Sequence, residues 1–156
     1  MATEPTVPDW QLSRLEQLPA PVWHRIMQAR QQVFVVEQNC PYLDADTADP
    51  ASWHLVAWQH DGEVAAYARI VDPGINYSEP SIGRVLTSLA MRRCGLGREL
   101  MRRAIVEAGR IHPGRRLRIS AQAHLQVFYA DFGFVAVGAE YLEDGIPHIE
   151  MLRGAD

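Results

Sequence analysis

Two Asp-Gly dipeptides, each set between apolar runs, constrain this chain most. HLVAWQH and EVAAYARIV flank Asp61-Gly62, while FVAVGAEYLE and IPHIEML flank Asp144-Gly145. Asp-Gly suits the positive φ angles of a two-residue type I′ turn, so both places read as antiparallel hairpins. Between them the pattern changes. SIGRVLTSLAM (81–91) reads as a strand and LRISAQ (117–122) as another. A helix over 98–110 joins them, with Leu100, Met101, Ala104, Ile105 and Ala108 spaced three and four apart. Hairpins mixed with one strand–helix–strand crossover imply an α/β chain with a mixed sheet and helices on its faces. They exclude a doubly wound parallel sheet.

The remaining elements fit that frame. Residues 1–9 form a lead-in with Pro5 and Pro8, and WQLSRL (10–15) alternates as a first strand. From Pro19 the period turns helical, placing Val22, Trp23, Ile26, Met27, Val33 and Phe34 on one face. EQNCPYLDADTADPASW (37–53) is a long polar connection, and AHLQVFYADF (123–132) a short helix ended at Gly133.

At 156 residues the chain reads as one domain spanning 1–156. A chain of this size buries roughly 70% of its unfolded surface and needs no metal or disulfide staple. Cys40 and Cys94 are too few for a disulfide framework. Without a basic and apolar leader or an apolar run near ~20 residues, the expectation is a cytoplasmic protein that does not enter membranes.

The basic charge is all arginine, for the chain has no lysine. Nine arginines lie between Arg84 and Arg116 against two acids, Glu99 and Glu107, whereas the rest of the chain carries six arginines against 17 acids. Part of that basic sector is what a solvated helix face would show. A basic sector in an acidic chain also suits an anionic ligand bound locally. Overall acidity argues against a nucleic-acid partner.

That sector centres on MRRCGLGREL (91–100), where a strand feeds a helix through Gly95-Leu96-Gly97. Unpaired N–H groups at a helix N-terminus, with the positive end of its dipole, make an anion site. A dinucleotide fingerprint needs a third glycine where this chain has Leu100, and a P-loop needs Gly-Lys-Ser/Thr. A tight strand-to-helix turn that binds nothing is the alternative. The surrounding Arg92, Arg93 and Arg98 favour the anion site.

Arg92-x-x-Gly95-x-Gly97 resembles the R/Q-x-x-G-x-G/A signature of the GCN5-related N-acetyltransferase (GNAT) superfamily. VFVVEQNCPYLDADTAD, AYARI, IGRVLTS, AQAHLQVFYADFGF and YLEDGIPHIEM extend the similarity, specifically to ElaA-type acetyltransferases, over nearly the whole chain. The resemblance implies a mostly antiparallel sheet with a splayed parallel strand pair and acetyl-CoA lying in the V. Backbone groups of Val85, Leu86 and Thr87 would hold the pantetheine arm. Amides around Cys94, Gly95, Leu96, Gly97 and Arg98 would take the pyrophosphate, with Arg92 and Arg93 at its rim. Tyr129 matches the tyrosine placed near the CoA sulfur, a general acid for the leaving thiolate. Packing among Phe128, Phe132 and Phe134 is its alternative role. Gln122 stands where many relatives have asparagine, which puts in doubt how the pantetheine end is held.

The same resemblance implies a primary amine as acceptor, small or peptidyl, with the 37–49 loop over its pocket. Glu37, Asp44, Asp46 and Asp49 in that loop would favour a cationic acceptor, with Tyr42 and Trp53 as apolar walls; the alternative, favoured for any single acid, is a solvated loop carboxylate. Glu37, His54, Glu140, His148 and Glu150 are candidates for a general base, a water relay is the alternative, and no spacing selects one. Glu37, Tyr42, Asp44, His54, His148 and Glu150 are the candidate acceptor contacts. Cys40 with His54 lacks the further ligands of a metal site, so none is expected. A non-catalytic CoA-binding module and an enzyme using another acyl-CoA remain the competing readings. A homodimer is compatible with all of them.

Overall fold

A computed structural model describes residues 7–156, so the first six residues of the lead-in lie outside the described residues. Strand β1 (Asp9–Arg14) pairs antiparallel with β2 (Ser52–Trp58), and β2 with β3 (Val64–Val71). β3 continues into an antiparallel pair with β4 (Ser81–Thr87). The crossover helix α2 (Leu96–Ile111) then returns the chain to β5 (Leu117–Gln122), parallel to β4. A short α3 (Gln126–Ala130) precedes β6 (Val135–Ala136), β7 (Tyr141–Glu143) and β8 (Ile146–Arg153). The sheet order is β1-β2-β3-β4-β5-β8-β6, with β7 also on β8. It is a mixed, mostly antiparallel sheet with one parallel pair, as the hairpins and the single crossover imply.

Every residue of β3 is buried, because helices cover both faces of the sheet at that strand. On one face Leu100, Met101, Ala104 and Ala108 of α2 pack with Leu55, Ala57, Ala68 and Ile70. On the other, Ile26 of α1 (Ala20–Arg30) packs with Val56, Val64, Tyr67 and Leu86. The odd and even residues of β2 go to opposite clusters, the period-two pattern of a strand covered on both sides. Small alanines in β3 let α2 lie close.

Local chemistry shifts several boundaries. The first helix does not stop before the polar connection but widens into π-type turns over Gln31–Glu37. The expected strand 81–91 ends at Thr87, and Leu89–Met91 form a 3₁₀ turn. FVAVGAEYLE is not one strand: it breaks between Ala136 and Tyr141 into β6 and β7.

The two Asp-Gly turns also differ. Asp144 and Gly145 both have positive φ, 51° and 76°, as a type I′ turn requires. At the first hairpin only Gly62 does. There the loop is longer, with the Gly62 N–H on the Gln59 carbonyl (3.0 Å) and the Gln59 N–H on the Glu63 carbonyl (2.8 Å). The Asp61 carboxylate accepts the Glu63 N–H at 2.9 Å, an Asx-type bond that helps fix this longer loop in place of the two-residue turn.

The feature that positions the site is the gap between β4 and β5. They pair at one position only, Ser81 opposite Arg118. Beyond it β4 bends away at a bulge: Arg84 takes φ 51° and the register against β3 slips between Tyr67 and Arg69. The parallel strands therefore start together and splay toward their C-terminal ends.

Candidate active site

The splay opens a cleft of about 570 Å³, walled by Gly83, Arg84 and Val85 on one side and by Ile119, Ser120 and Gln122 on the other. With β5 turned away, the β4 edge past Ser81 is free on that side, so its peptide groups are available to an extended ligand with amide groups of its own. Of the sequence candidates, Val85, Gln122, Tyr129, Tyr42 and His148 all line this one cleft. Leu86 does not: its side chain is buried against α1, as the alternation of the strand dictates.

At the far end of β4 lies the glycine turn. Gly95 has φ 82° and caps α2, whose first helical bond runs from the Glu99 N–H to the Gly95 carbonyl at 3.2 Å. The N–H groups of Leu96, Gly97 and Arg98 consequently have no acceptor within the helix. A methyl group built on Gly97 would come no nearer than 3.8 Å to the Thr87 side chain, so the turn sits directly beside the last residue of β4. Arg92 donates to the Thr87 carbonyl (3.2 Å) and pairs with Glu37 (2.7 Å). Arg98 is tied to Asp131 (2.7 Å) and lies over Phe128 and Phe132, joining α2 to α3. Arg93 is exposed, with φ 65°. Cys94 donates its thiol to the Met91 carbonyl and helps close the turn.

Much of the basic sector does belong to a solvated face. Arg102 and Arg103 pair with Glu99, and Arg110 with Glu107, along the outside of α2.

Tyr129, on α3, is 7% exposed and packs edge-on against Phe128 and Phe134. Packing and cleft exposure are combined, not exclusive. Burial pushes its phenol up to about 12, so it stays protonated through the physiological range.

The acids of the 37–49 loop do not face an acceptor freely. Asp44 is buried between Arg30 (2.7 Å) and Arg84 (2.8 Å), and Asp49 between Arg30 (2.6 Å) and Arg69 (2.8 Å). Asp46 pairs with Arg69 and Arg84 and alone of the three lines the cleft. Burial by itself would raise the carboxyls of Asp46 and Asp49. The hydrogen bonds and charge of Arg69 on Asp46, and of Arg30 on Asp49, override it and hold both below the usual range. Three arginines thus neutralise three aspartates, and the network staples the loop to the sheet.

His54 is likewise withdrawn: it is wholly buried, with its ring nitrogens on Tyr67 (2.6 Å) and the Asp49 carbonyl (3.0 Å). Burial lowers its pKa, so the ring is neutral. Trp53 is cation-stacked under Arg14 in the α2-side core. Glu150 is held by Arg118 at 2.9 Å.

Sequence reasoning passed over Arg30, Arg69 and Arg84. Arg30 falls four residues after Ile26 on the apolar face of the helix, and Arg69 sits inside the apolar run AYARI. An arginine in such a place needs a buried counter-charge, which was the available signal. Glu143 and Asp144, at the tip of the β7–β8 hairpin, also line the cleft.

An open mixed sheet with a cleft at one splayed parallel pair, and a helix N-terminus at its end, is an architecture shared with acyl-CoA-dependent acyltransferases, and comparison with known proteins places the chain in that class. Residues 43–153 match the acetyltransferase (GNAT) domain, and the chain belongs to that family. It is 47% identical over 144 residues to a UPF0039 protein of Synechocystis sp., covering 92% of this chain and 94% of that one. To the Escherichia coli protein ElaA it is 41% identical over 147 residues, covering 93% and 95%. The crystal structure of E. coli ElaA superposes with a TM-score of 0.87 at 40% identity, covering 94% of this chain and 99% of that one. An acyl-CoA N-acyltransferase from Pseudomonas aeruginosa superposes at 0.90 with 44% identity and the same coverage.

Proposed function

We propose that the protein transfers an acetyl group from acetyl-CoA directly to a primary amine, within one ternary complex. The observation that carries the reading is the single-pair junction of β4 and β5, which leaves one cleft lined by the β4 edge at Val85, by Gln122 and by Tyr129. The pantetheine arm lies along 85–87 and pairs with that edge by backbone hydrogen bonds, as an added strand would. The pyrophosphate rests on the amides at 94–98, with Arg93 at the rim and Arg92 released from Glu37 to meet it.

Closeness of the two substrates supplies much of the catalysis, for it makes attack on the thioester effectively intramolecular. The neutral amine adds to the thioester carbonyl and the C–S bond breaks. Tyr129 protonates the departing sulfur, an effect worth roughly 10²–10⁴-fold. With Asp44, Asp46 and Asp49 all committed to arginines, any preference for a cationic acceptor rests on Glu143 and Asp144.

A thermal-shift titration with acetyl-CoA, with NAD as control, tests the coenzyme. At 100 times Kd a native-state ligand adds about 2.7 kcal/mol, roughly 5–10 °C for a chain of this size. CoA release is then followed across a panel of primary amines, including Nα-acetyl-lysine amide, alanine amide and aliphatic diamines. Acetyl-, succinyl- and long-chain acyl-CoA are compared in the same assay. Stabilisation by acetyl-CoA with no amine acetylated overturns the enzymatic reading in favour of a binding module.

A further inference from the structure

Five residues compete for the role of proton acceptor, and their surroundings separate them. Neither Glu37 nor Glu150 lines the cleft, and Glu150 is bound to Arg118. His54 is sealed in the core with both ring nitrogens engaged. Glu140 is exposed in the break between β6 and β7. His148 differs from all four. It sits on β8 opposite Gln122 of β5, and it lines the same cleft as Tyr129.

Its two nitrogens have distinct tasks. Nδ1 lies 2.7 Å from the Ile146 carbonyl, which can only accept, so Nδ1 carries a proton and the neutral ring keeps its lone pair on Nε2. Nε2 lies 3.3 Å from a carboxylate oxygen of Glu143. Tyr141 stacks on the ring at 6.1 Å and its hydroxyl meets Ser120, which fixes the imidazole plane. The other charges near this corner are Asp144 at the hairpin tip and Arg118, which is shared between Glu150 (2.9 Å) and Glu79 (3.0 Å) and so leaves that cluster one negative charge in excess.

We infer that His148 is the general base of the transfer and that Glu143 is its positioning partner, a step that rests on the acetyltransferase reading above. The acceptor ammonium gives a proton to Nε2, and the imidazolium formed is stabilised by Glu143, which passes the proton to solvent. The freed lone pair bonds to the thioester carbon, and the C–S electron pair leaves on sulfur. Sulfur takes the Tyr129 proton, and the second proton lost by the new amide nitrogen restores the phenol through solvent. The sum is an amide, free CoA and one proton released.

A base has more to do for an ε-ammonium titrating near ~10.4 than for an α-amine near ~8. The test compares wild type, His148→Gln, His148→Ala and Glu143→Gln with Nα-acetyl-lysine amide and alanine amide. Acetyl-CoA affinity and melting temperature verify the fold of each variant. His148→Gln is expected to lose turnover on the ε-amine by about 10²–10³-fold and on the α-amine by clearly less. Glu143→Gln follows the same ranking with about a tenfold loss. Free imidazole restores part of the activity of His148→Ala. Turnover of His148→Gln equal to wild type on both amines, or an equal loss on both with no imidazole rescue, overturns the assignment while leaving the acetyltransferase reading intact. A wild-type enzyme that acetylates no amine of the panel overturns both.

Discussion

Arg30 and Asp44 form an ion pair from which water is shut out on both sides, with Nε 2.7 Å from Oδ2 and side-chain exposures of 0% and 1%. A second bond runs from the same guanidinium to the Asp44 carbonyl at 2.7 Å, so the arginine holds backbone as well as charge. Removing Arg30 leaves Asp44, Asp46 and Asp49 to share only Arg69 and Arg84, so one buried negative charge goes uncompensated, a loss of about 3–5 kcal/mol. Arg30→Met is therefore expected to lower the melting temperature by roughly 6–20 °C. Glu37→Gln, which cuts a half-exposed pair with Arg92, is expected to cost less than about 1 kcal/mol. Urea unfolding of both variants decides it, and near-equal midpoints would show that the buried network does not anchor the loop.

The two glycines of the turn are expected to respond differently. Gly95 sits at φ 82°, where any side chain is strained although the surrounding space is open. Gly95→Ala should cost about 1–2 kcal/mol of stability. Gly97 has no left-handed φ, and a methyl there meets Thr87 only at ordinary contact distance, 3.8 Å. Gly97→Ala should melt within a degree or two of wild type, and it should still bind acetyl-CoA, since alanine belongs to the motif. Thermal melts with and without acetyl-CoA read both. A larger apo-state loss in Gly97→Ala than in Gly95→Ala would reverse the argument.

Tyr129 offers a test in which packing and chemistry separate. Phenylalanine retains the edge contacts with Phe128 and Phe134, so Tyr129→Phe should fold and bind acetyl-CoA normally while kcat falls about 10²–10⁴-fold. The pH profile gives a second reading. A phenol raised to about 12 by burial is protonated below that value and lost as an acid only above it. Wild-type kcat should thus remain level past pH ~10, where an ordinary tyrosine would begin to fail. A fall centred near ~10 in wild type, or full activity in the phenylalanine variant, would remove Tyr129 from the acid role.

What was legible in the chain follows from range. The hairpins, the crossover and the glycine turn are local signals, carried by Asp-Gly, by period and by Gly95 itself, and they appear in the fold. The β4–β5 splay depends on a bulge at Arg84 whose guanidinium is held by Asp44, 40 positions away, and no local pattern encodes that pairing. The same holds for the acids of the 37–49 loop. In sequence they read as a lining for a cationic ligand, but their partners Arg30 and Arg69 come from a helix and a central strand. His148 and Glu143 became neighbours only because the Asp144-Gly145 turn folds β7 back on β8, placing Tyr141 opposite His148.

Acid should unfold this protein through a small set of carboxyls. The Arg118 guanidinium holds Glu79 down to about 2, and arginines hold Asp46 and Asp49 below their usual range. Each binds a proton more weakly when folded than when unfolded, so its contribution is complete above pH ~4 and is lost as the pH falls toward ~2. The unfolding midpoint in urea is expected to hold between pH ~7 and ~5 and then to drop steeply below ~4. Glu79→Gln removes one such group, so the variant should lose part of that slope while its midpoint at neutral pH falls. A midpoint that stays constant down to pH ~2.5, or an unchanged slope in Glu79→Gln, would mean that these ion pairs are as weak in the folded protein as exposed ones.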